Sequence, residues 1–190
     1  MSGKLVVISG PSGAGKTSVC RALKLLPGVE FSVSATTRVP RAGEEGGVDY
    51  HFLSRDEFER RAAKGEFLEW ASYNGNLYGT PRWPMDTAIA AGRTFLLEIE
   101  VAGTKQLREQ RVPGIYVFIA PPSIDELRQR LVRRGTNTTD DIESRVRIAR
   151  EEIAASQQLV GGEPLYDHAI PNFDLAATIT RVAELIGVRR

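Results

Sequence analysis

Residues 4–17 read Lys4-Leu-Val-Val-Ile-Ser9 and then Gly10-Pro-Ser-Gly-Ala-Gly-Lys16-Thr17, an apolar run followed by a glycine-rich loop. A helical pattern begins directly after this loop. Strand, loop and helix in this order fit the phosphate-binding loop G-x-x-x-x-G-K-[ST] at its required spacing. The stretch therefore predicts an α/β fold in which the first strand and the first helix flank a site for a nucleoside triphosphate.

The residue types in this loop suit a triphosphate. Glycines at positions 10, 13 and 15 permit backbone angles that a side chain would forbid, so successive N–H groups can point inward at a phosphate. The following helix directs the positive end of its dipole to the same place. Lys16 would neutralise the β- and γ-phosphate oxygens, and Thr17 would offer a hydroxyl to Mg²⁺. The predicted ATP-binding residues of this stretch are Gly10, Pro11, Ser12, Gly13, Ala14, Gly15, Lys16, Thr17 and Ser18.

Length and composition are typical of one globular domain. The chain has 190 residues, of which 42% are hydrophobic, and a formal net charge of +1. This charge balance gives no support for a nucleic-acid surface, and no apolar stretch approaches the length of a membrane span. The N-terminal residues lack a signal-peptide pattern, and the single cysteine, Cys20, cannot form an internal disulfide. We therefore expect a cytoplasmic protein, monomeric or homodimeric, with no membrane or nucleic-acid partner.

Apolar strands alternate with amphipathic helices along most of the chain, which predicts a parallel sheet with helices on both faces. The predicted strands of this core are 4–9, 29–33, 94–100, 115–120 and 168–170. The predicted helices are 16–25, 54–64, 81–91, 123–133, 140–159 and 175–186.

One interval breaks the alternation. Residues 34–84 begin with a polar segment rich in glycine and proline, and continue with aromatic, alternating strands joined by the hairpin turn Asn74-Gly75. This pattern is typical of a small antiparallel lobe inserted into a parallel core. We expect a single domain, 1–190, with an acceptor lobe at 34–84, an arginine-rich lid at 126–150, and a core formed by 1–33, 85–125 and 151–190.

The segment from Ser34 to Phe52, with Glu66-Phe-Leu-Glu69-Trp and Asn76-Leu-Tyr78-Gly-Thr80, resembles the nucleotide-monophosphate lobe of guanylate kinases. The resemblance spans nearly the whole chain and also includes Ile119-Ala-Pro-Pro-Ser123, Arg134-Gly-Thr136 and Arg145. It implies a P-loop kinase with a three-layer core, a GMP-binding lobe and a short lid. Such an enzyme uses ATP and Mg²⁺ to convert GMP, and dGMP as well, to the diphosphate.

The acceptor lobe carries groups that suit a monophosphate and a guanine. Arg38 and Arg41, three residues apart beside Pro40, offer two guanidinium forks to a dianionic phosphate, and Tyr50 and Tyr78 offer hydroxyls. Guanine presents N1–H and N2–H₂ donors beside the O6 acceptor, and one carboxylate can accept from both donors. The resemblance assigns that carboxylate to Glu69, and assigns Ser34, Thr80 and Glu100 to the same base.

Phosphoryl transfer to a phosphate needs no strong base, because the attacking oxygen is already ionised; catalysis is then alignment and charge neutralisation. The predicted catalytic residues are Lys16, Arg38, Arg134 and Arg145, the last two standing where the family has its lid arginines. Asn172 resembles the family's residue near the donor adenine, and a helix N-cap is the alternative interpretation of that asparagine.

The chain departs from its family in one motif. Leu97-Glu98-Ile-Glu100-Val-Ala102-Gly103 stands where the family usually has L-D-I-D-x-Q-G. The first acid of that motif acts near the metal, so the resemblance assigns Thr17 to Mg²⁺ directly and Glu98 to it through water. Both acids are one methylene longer here, which changes their reach while keeping their charge.

Two other functions are compatible with a phosphate loop. A kinase of the same fold could act on another phosphorylated acceptor such as a sugar phosphate, although Ser34, Glu69 and Thr80 favour guanine. Guanylate-kinase-like modules in scaffold proteins bind phosphopeptides after losing their nucleotide loop. The intact Lys16-Thr17 pair argues against that binding role.

Overall fold

The computed structural model describes residues 3–73, 75–133 and 138–188. In the part of the chain that it describes, no helix is both long and apolar enough to span a bilayer. The helices are α1 Lys16–Leu23, α2 Arg55–Ala63, α3 Arg82–Ala90, α4 Val101–Glu109, α5 Ile124–Arg133, α6 Thr139–Ala155 and α7 Leu175–Leu185. The strands are β1 Lys4–Ser9, β2 Val29–Phe31, β3 Ala35–Thr36, β4 His51–Phe52, β5 Phe67–Tyr73, β6 Asn76–Pro81, β7 Thr94–Glu98, β8 Ile115–Ala120, β9 Leu159–Val160, β10 Glu163–Pro164 and β11 His168–Pro171.

The central sheet is parallel and has the strand order β11-β8-β1-β7-β2. Its inner strands are buried along almost their whole length, which is why they read as continuous apolar runs. The register pairs Ile8 of β1 with Glu98 of β7, so the acid lies beside the start of the glycine loop. The predicted parallel α/β core is confirmed.

Helices cover both faces of this sheet. Because side chains alternate along a strand, Val6 and Ile8 face α1 and α7, whereas Leu5 and Val7 face α3 and α4. The two faces form separate apolar clusters, so the core has the three-layer α/β/α arrangement that the sequence predicts.

A second sheet, β4-β3-β6-β5, forms the inserted lobe together with α2. It has its own small apolar core, in which the rings of Phe58 and Phe67 stack with centroids 4.3 Å apart. Strand β6 pairs antiparallel with β3 and β5, as expected, but β3 and β4 pair parallel. The sheet is therefore mixed, because the irregular segment 37–50 is long enough to carry the chain back to the same end of the sheet. Asn74, half of the predicted turn, lies outside the described residues.

The prediction that the strand beginning at Thr94 continues to residue 100 is wrong. Glu98 is the last residue of β7 to pair with β1, and Glu100 is already the N-cap of α4, a helix that the pattern does not predict. Gly103 lies inside α4 and lowers the helix propensity of this segment, which is why the sequence pattern does not indicate a helix here. Its buried residues are Val101, Gly103, Thr104 and Leu107.

The prediction of a helix up to Leu159 is also wrong. Thr138 and Asp141 form a reciprocal capping box that starts α6, and the helix ends at Ala155. Leu159 instead belongs to β9, which forms a hairpin with β10. The connecting Gly161-Gly162 has positive φ at both positions, 60° and 90°, as a two-residue hairpin turn requires.

Candidate active site

The glycine loop lies at the carboxyl end of the central strand β1, the edge at which open parallel sheets bind ligands. The φ angles of Gly10, Gly13 and Gly15 are 141°, 94° and 100°, values that residues with a side chain rarely adopt. Ala14 N–H donates to the Pro11 carbonyl at 3.1 Å and closes a turn within the loop. The loop is therefore held by its own backbone, and the start of α1 faces it.

Lys16 points back into this loop. Its Nζ donates to the carbonyl oxygens of Gly10 at 2.5 Å and Pro11 at 3.2 Å. Burial lowers the pKa of the Lys16 ammonium, while the nearby carboxylates of Glu98, Glu152 and Glu100 act in the opposite direction. The ammonium is thus a poorly hydrated cation held where an anion would enter the loop.

Thr17 and Glu98 form the predicted metal-binding pair. Thr17 Oγ1 donates to Glu98 Oε1 at 2.7 Å, so the longer acid reaches the threonine directly. A hydroxyl and a carboxylate are oxygen ligands of the kind Mg²⁺ prefers. Among residues 3–73, 75–133 and 138–188, no cluster of three or more His, Cys, Asp or Glu could hold a metal ion. The Thr17 hydroxyl and the Glu98 carboxylate are chemically suited to Mg²⁺, and their role as its ligands stays a prediction.

Asn172 supports the loop from the last strand of the sheet. It is 4% exposed, donates through Nδ2 to the Ala14 carbonyl at 2.7 Å and accepts through Oδ1 from Thr178 at 3.0 Å. A Cβ added at Gly15 would collide with this amide. The N-cap interpretation of Asn172 is wrong, because Asp174 caps α7 by accepting from the Ala177 N–H. The role of Asn172 at the donor nucleotide stays a prediction.

The paired helices α5 and α6 contribute one arginine to the loop and one to Asn172 beside it. Their shared apolar core includes Leu127 and Val146. Arg145 of α6 donates to Ser12 Oγ at 2.9 Å, and Arg130 of α5 donates to the Asn172 carbonyl at 3.0 Å. The other predicted lid arginine, Arg134, lies outside the described residues, as do residues 135–137.

Glu152 of α6 also belongs to this site, close enough to Lys16 for their charges to interact. It follows Arg145 by seven residues and so shares its face of α6. Burial raises the pKa of Glu152 to about 7; Lys16 opposes this rise, and Glu100 and Glu151 add to it. The seven-residue spacing from Arg145 is the sequence signal that could have indicated this acid.

We predict that Glu152→Gln stabilises the ligand-free protein at high pH. The folded-state pKa of about 7 lies above the ordinary value of 4.5, so the folded protein binds this proton more tightly than the unfolded chain does. The contribution of Glu152 to the free energy of unfolding is therefore most favourable below pH 4.5 and is lost as the pH rises to about 7. Because solvent screens a half-exposed group, we expect the variant to gain roughly 1–2 kcal/mol at pH 8 and little at pH 4.5.

Urea unfolding at the two pH values measures this difference. Glu151→Gln is the matched control, since Glu151 is an exposed neighbour whose carboxylate pairs with Arg147 at 2.8 Å. An equal gain for Glu152→Gln at both pH values would show that its carboxyl does not titrate in this window.

The acceptor lobe gathers three of the four predicted phosphate-binding residues. The guanidinium carbon of Arg38 lies 5.4 Å from the ring centroid of Tyr50, and the Tyr50 and Tyr78 centroids are 6.2 Å apart. Arg38 Nη2 donates to both carboxylate oxygens of Glu44, at 2.7 and 2.9 Å, and this pairing raises the pKa of Arg38. The side chain of Arg41 is exposed, whereas its N–H donates to Glu44 at 2.7 Å. Glu44, which the sequence analysis missed, is therefore the acid that organises this arginine loop.

The predicted base-reading residues lie deeper between the lobe and the core. Thr80 is fully buried, and its Oγ1 donates to Glu69 Oε1 at 2.7 Å. Burial raises the pKa of Glu69, the Thr80 hydroxyl and N–H oppose this rise, and the charge of Glu100 adds to it. Ser34 lies half-buried between β2 and β3, where its carbonyl accepts from the His51 N–H at 2.8 Å. Glu69 is thus hydrogen-bonded to Thr80 and lies close enough to Glu100 to be affected by its charge.

A three-layer parallel α/β core with an intact phosphate loop, and an inserted lobe that carries clustered arginine and tyrosine side chains, defines the class of P-loop phosphotransferases. Residues 2–188 match the model of the family described as guanylate kinase. The chain is 43% identical over 185 residues to a guanylate kinase of Halalkalibacterium halodurans, covering 97% of this chain and 87% of the relative. It is 45% identical over 189 residues to one of Carboxydothermus hydrogenoformans, covering 99% and 89%.

Among solved structures, the crystal structure of guanylate kinase from Anaplasma phagocytophilum superposes with a TM-score of 0.69 at 34% identity. The match covers 98% of this chain and 85% of that one. The chain belongs to the guanylate kinase family. It is accordingly an enzyme, a nucleotide-binding kinase of the transferase class.

Proposed function

We propose that this chain transfers the γ-phosphoryl group of ATP to GMP, giving ADP and GDP, and that it accepts dGMP as well. A phosphate oxygen of GMP forms the new bond to the γ-phosphorus while the bond to the bridging oxygen of ADP breaks, so no base is needed. The observation that carries the proposal is the hydrogen bond from Thr80 to the Glu69 carboxylate, in a chain whose phosphate loop is intact.

The donor half of the site is the loop itself. Its N–H groups and the start of α1 would bind the β- and γ-phosphates of ATP, with Lys16 compensating their charge. Thr17, and Glu98 through water, would hold Mg²⁺, which when bound neutralises charge on the phosphate oxygens. Arg145, already within hydrogen-bond distance of Ser12, and Arg134 would stabilise the transferring group.

The acceptor half is the lobe. Arg38, Arg41, Tyr50 and Tyr78 would bind the GMP phosphate, which must displace Glu44 from Arg38 to do so. Glu69 would accept from guanine N1–H and N2–H₂, with hydroxyls from Ser34 and Thr80 and the second acid, Glu100, on the same base. The Glu69 contact favours a guanine nucleotide, because adenine would leave its buried carboxylate unpaired.

We also propose that these halves belong to one domain, 1–190, with residues 34–84 as the GMP-binding lobe and 126–150 as the lid. Two small apolar clusters support this division, since the lobe and the α5–α6 pair each have one apart from the two sheet-face clusters. The core then comprises 1–33, 85–125 and 151–190.

A coupled ADP-release assay with ATP and Mg²⁺ tests the proposed reaction. The acceptors compared are GMP, dGMP, AMP, UMP and CMP, with a panel of sugar phosphates. We expect kcat/KM for GMP to exceed that for AMP by at least about a hundredfold, because a buried hydrogen-bonding site rejects a base that leaves it unpaired.

The outcomes separate the alternatives. Equal turnover of AMP would remove the guanine assignment, and turnover of a sugar phosphate alone would favour another acceptor class. GMP binding by calorimetry without turnover would favour the binding-module function.

A further inference from the structure

Helix α4 packs against the edge strand β5 of the lobe, the strand that carries Glu69. Gly103 and Gln106 of α4, and Gln110 at its C-cap, contact that strand. Their spacing of three and seven residues places them on one face of the helix. The base-reading strand is therefore bordered by a single helical face.

Gly103 leaves the space that the Glu69 side chain fills. Its position is buried, and a Cβ built there would lie 3.1 Å from Glu69 Oε2 and 3.3 Å from both Cδ and Cγ. These separations are tighter than ordinary van der Waals contact, so a side chain at this position would shift the Glu69 side chain by a few tenths of an ångström. The glycine thus fixes how far Glu69 lies from the helix, while Thr80 holds the other oxygen.

Two glutamines fix the backbone on either side of Glu69. Gln106 accepts from Trp70 N–H at 3.3 Å and donates to the Trp70 carbonyl at 3.3 Å. Gln110 donates to the Leu68 carbonyl at 2.9 Å. The glutamine amides thus take the place of a neighbouring strand along the open edge of β5. Residues 68 and 70 are both bonded to α4, which leaves the intervening Glu69 little freedom to move.

We infer that the face formed by Gly103, Gln106 and Gln110, on α4 and at its C-cap, positions the Glu69 carboxylate. This face thereby determines how strongly the enzyme prefers an acceptor base that carries a 2-amino group. This inference rests on the proposed function, in which Glu69 accepts from both N1–H and N2–H₂ of guanine. The three residues contact the strand that carries Glu69, and we assign them an action through Glu69 rather than on the nucleotide itself.

Inosine monophosphate is the probe, because its base differs from guanine only in lacking the 2-amino group. We expect Gly103→Ala to lower kcat/KM for GMP by about tenfold or more, since small misplacements of a binding group have effects of this size. The ratio of kcat/KM for GMP to that for inosine monophosphate should also fall, while KM for ATP stays within about twofold of the wild-type value.

Gly114→Ala is the matched control. A Cβ at Gly114 also meets its nearest neighbour, the Leu5 carbonyl, at 3.1 Å, but far from the base-reading carboxylate. An equal drop in the GMP preference of both variants would overturn the inference, because general loosening would then explain it.

If Gly103→Ala fails to fold, Gln106→Ala provides the test. The Trp70 N–H and carbonyl that this second variant leaves without Gln106 lie on the exposed edge strand, so they can bind water and the protein should fold. We expect the same loss of base preference, smaller in size, with an unchanged ATP KM. Lys105→Ala is its control, because the neighbouring Lys105 bonds to Gln158 at 2.9 Å and not to β5.

A wild-type enzyme that does not phosphorylate GMP would contradict the proposed function itself. A wild-type enzyme that prefers GMP, with α4 variants that keep the same preference, would contradict only the positioning role.

Discussion

Replacing Lys16 by methionine is expected to lower kcat at least about a thousandfold, because charge neutralisation and alignment supply most of the catalysis in phosphoryl transfer. The methionine retains the apolar stem but removes the ammonium that lies 2.5 Å from the Gly10 carbonyl. The loop should keep its conformation, since the Ala14–Pro11 bond and the Asn172 amide hold it independently of Lys16.

The drop in kcat of Lys16→Met should not result from a less stable fold. Burial lowers the pKa of Lys16, so the folded state tolerates its charge less well than the unfolded chain does, and removing the charge relieves that cost. Thermal unfolding of the variant should therefore be unchanged or slightly higher in temperature.

Steady-state kinetics and calorimetry of GMP binding measure the effect. Lys24→Met, the same change on an exposed residue just after α1, is the control and should retain full activity. GMP affinity should remain within about twofold, because the acceptor lobe carries its own cations. A Lys16→Met enzyme within tenfold of wild-type kcat would exclude this lysine from the transition state.

The features predictable from the sequence are those in which neighbours along the chain define the geometry. The run from Lys4 to Thr17 contains a buried strand, three glycines at set offsets and a helix start, and the structure has each in place. The helices predicted to begin at Ser54 and Ser123 are also present, and each serine hydroxyl accepts from the N–H three residues later, because a cap is a local hydrogen bond.

What the sequence could not indicate depends on contacts between distant segments. Glu44 pairs with Arg38 only because an irregular loop folds back on itself, and no periodicity encodes that turn. Spacing along α6 indicates only that Glu152 shares a face with Arg145, whereas its raised pKa follows from tertiary burial, which no spacing encodes. Helix α4 escaped detection because the glycine that lowers its propensity is the one that accommodates Glu69.

Replacing Glu69 by glutamine should have the second large effect, a loss of base selection. The amide presents one acceptor and one N–H₂ donor, and the donor would face the N–H groups of guanine. We expect kcat/KM for GMP to fall by about a hundredfold, with the ratio of GMP to AMP turnover falling in parallel. Burial raises the pKa of Glu69, so the charged form is disfavoured in the folded protein and the neutral amide should not destabilise it.

Arg41→Ala separates base reading from phosphate holding. Its exposed guanidinium is proposed to contact only the monophosphate. The loss of this group should therefore lower kcat/KM for GMP and for AMP by the same factor, and leave the ratio of the two values unchanged. Kinetics of both variants on both acceptors, with unfolding temperatures measured in parallel, provide the comparison. The carboxylate and the guanidinium are proposed to contact different parts of one ligand, so the two variants should change the GMP/AMP ratio differently. If both variants changed the ratio equally, the assignment of Glu69 to the base and of Arg41 to the phosphate would be wrong.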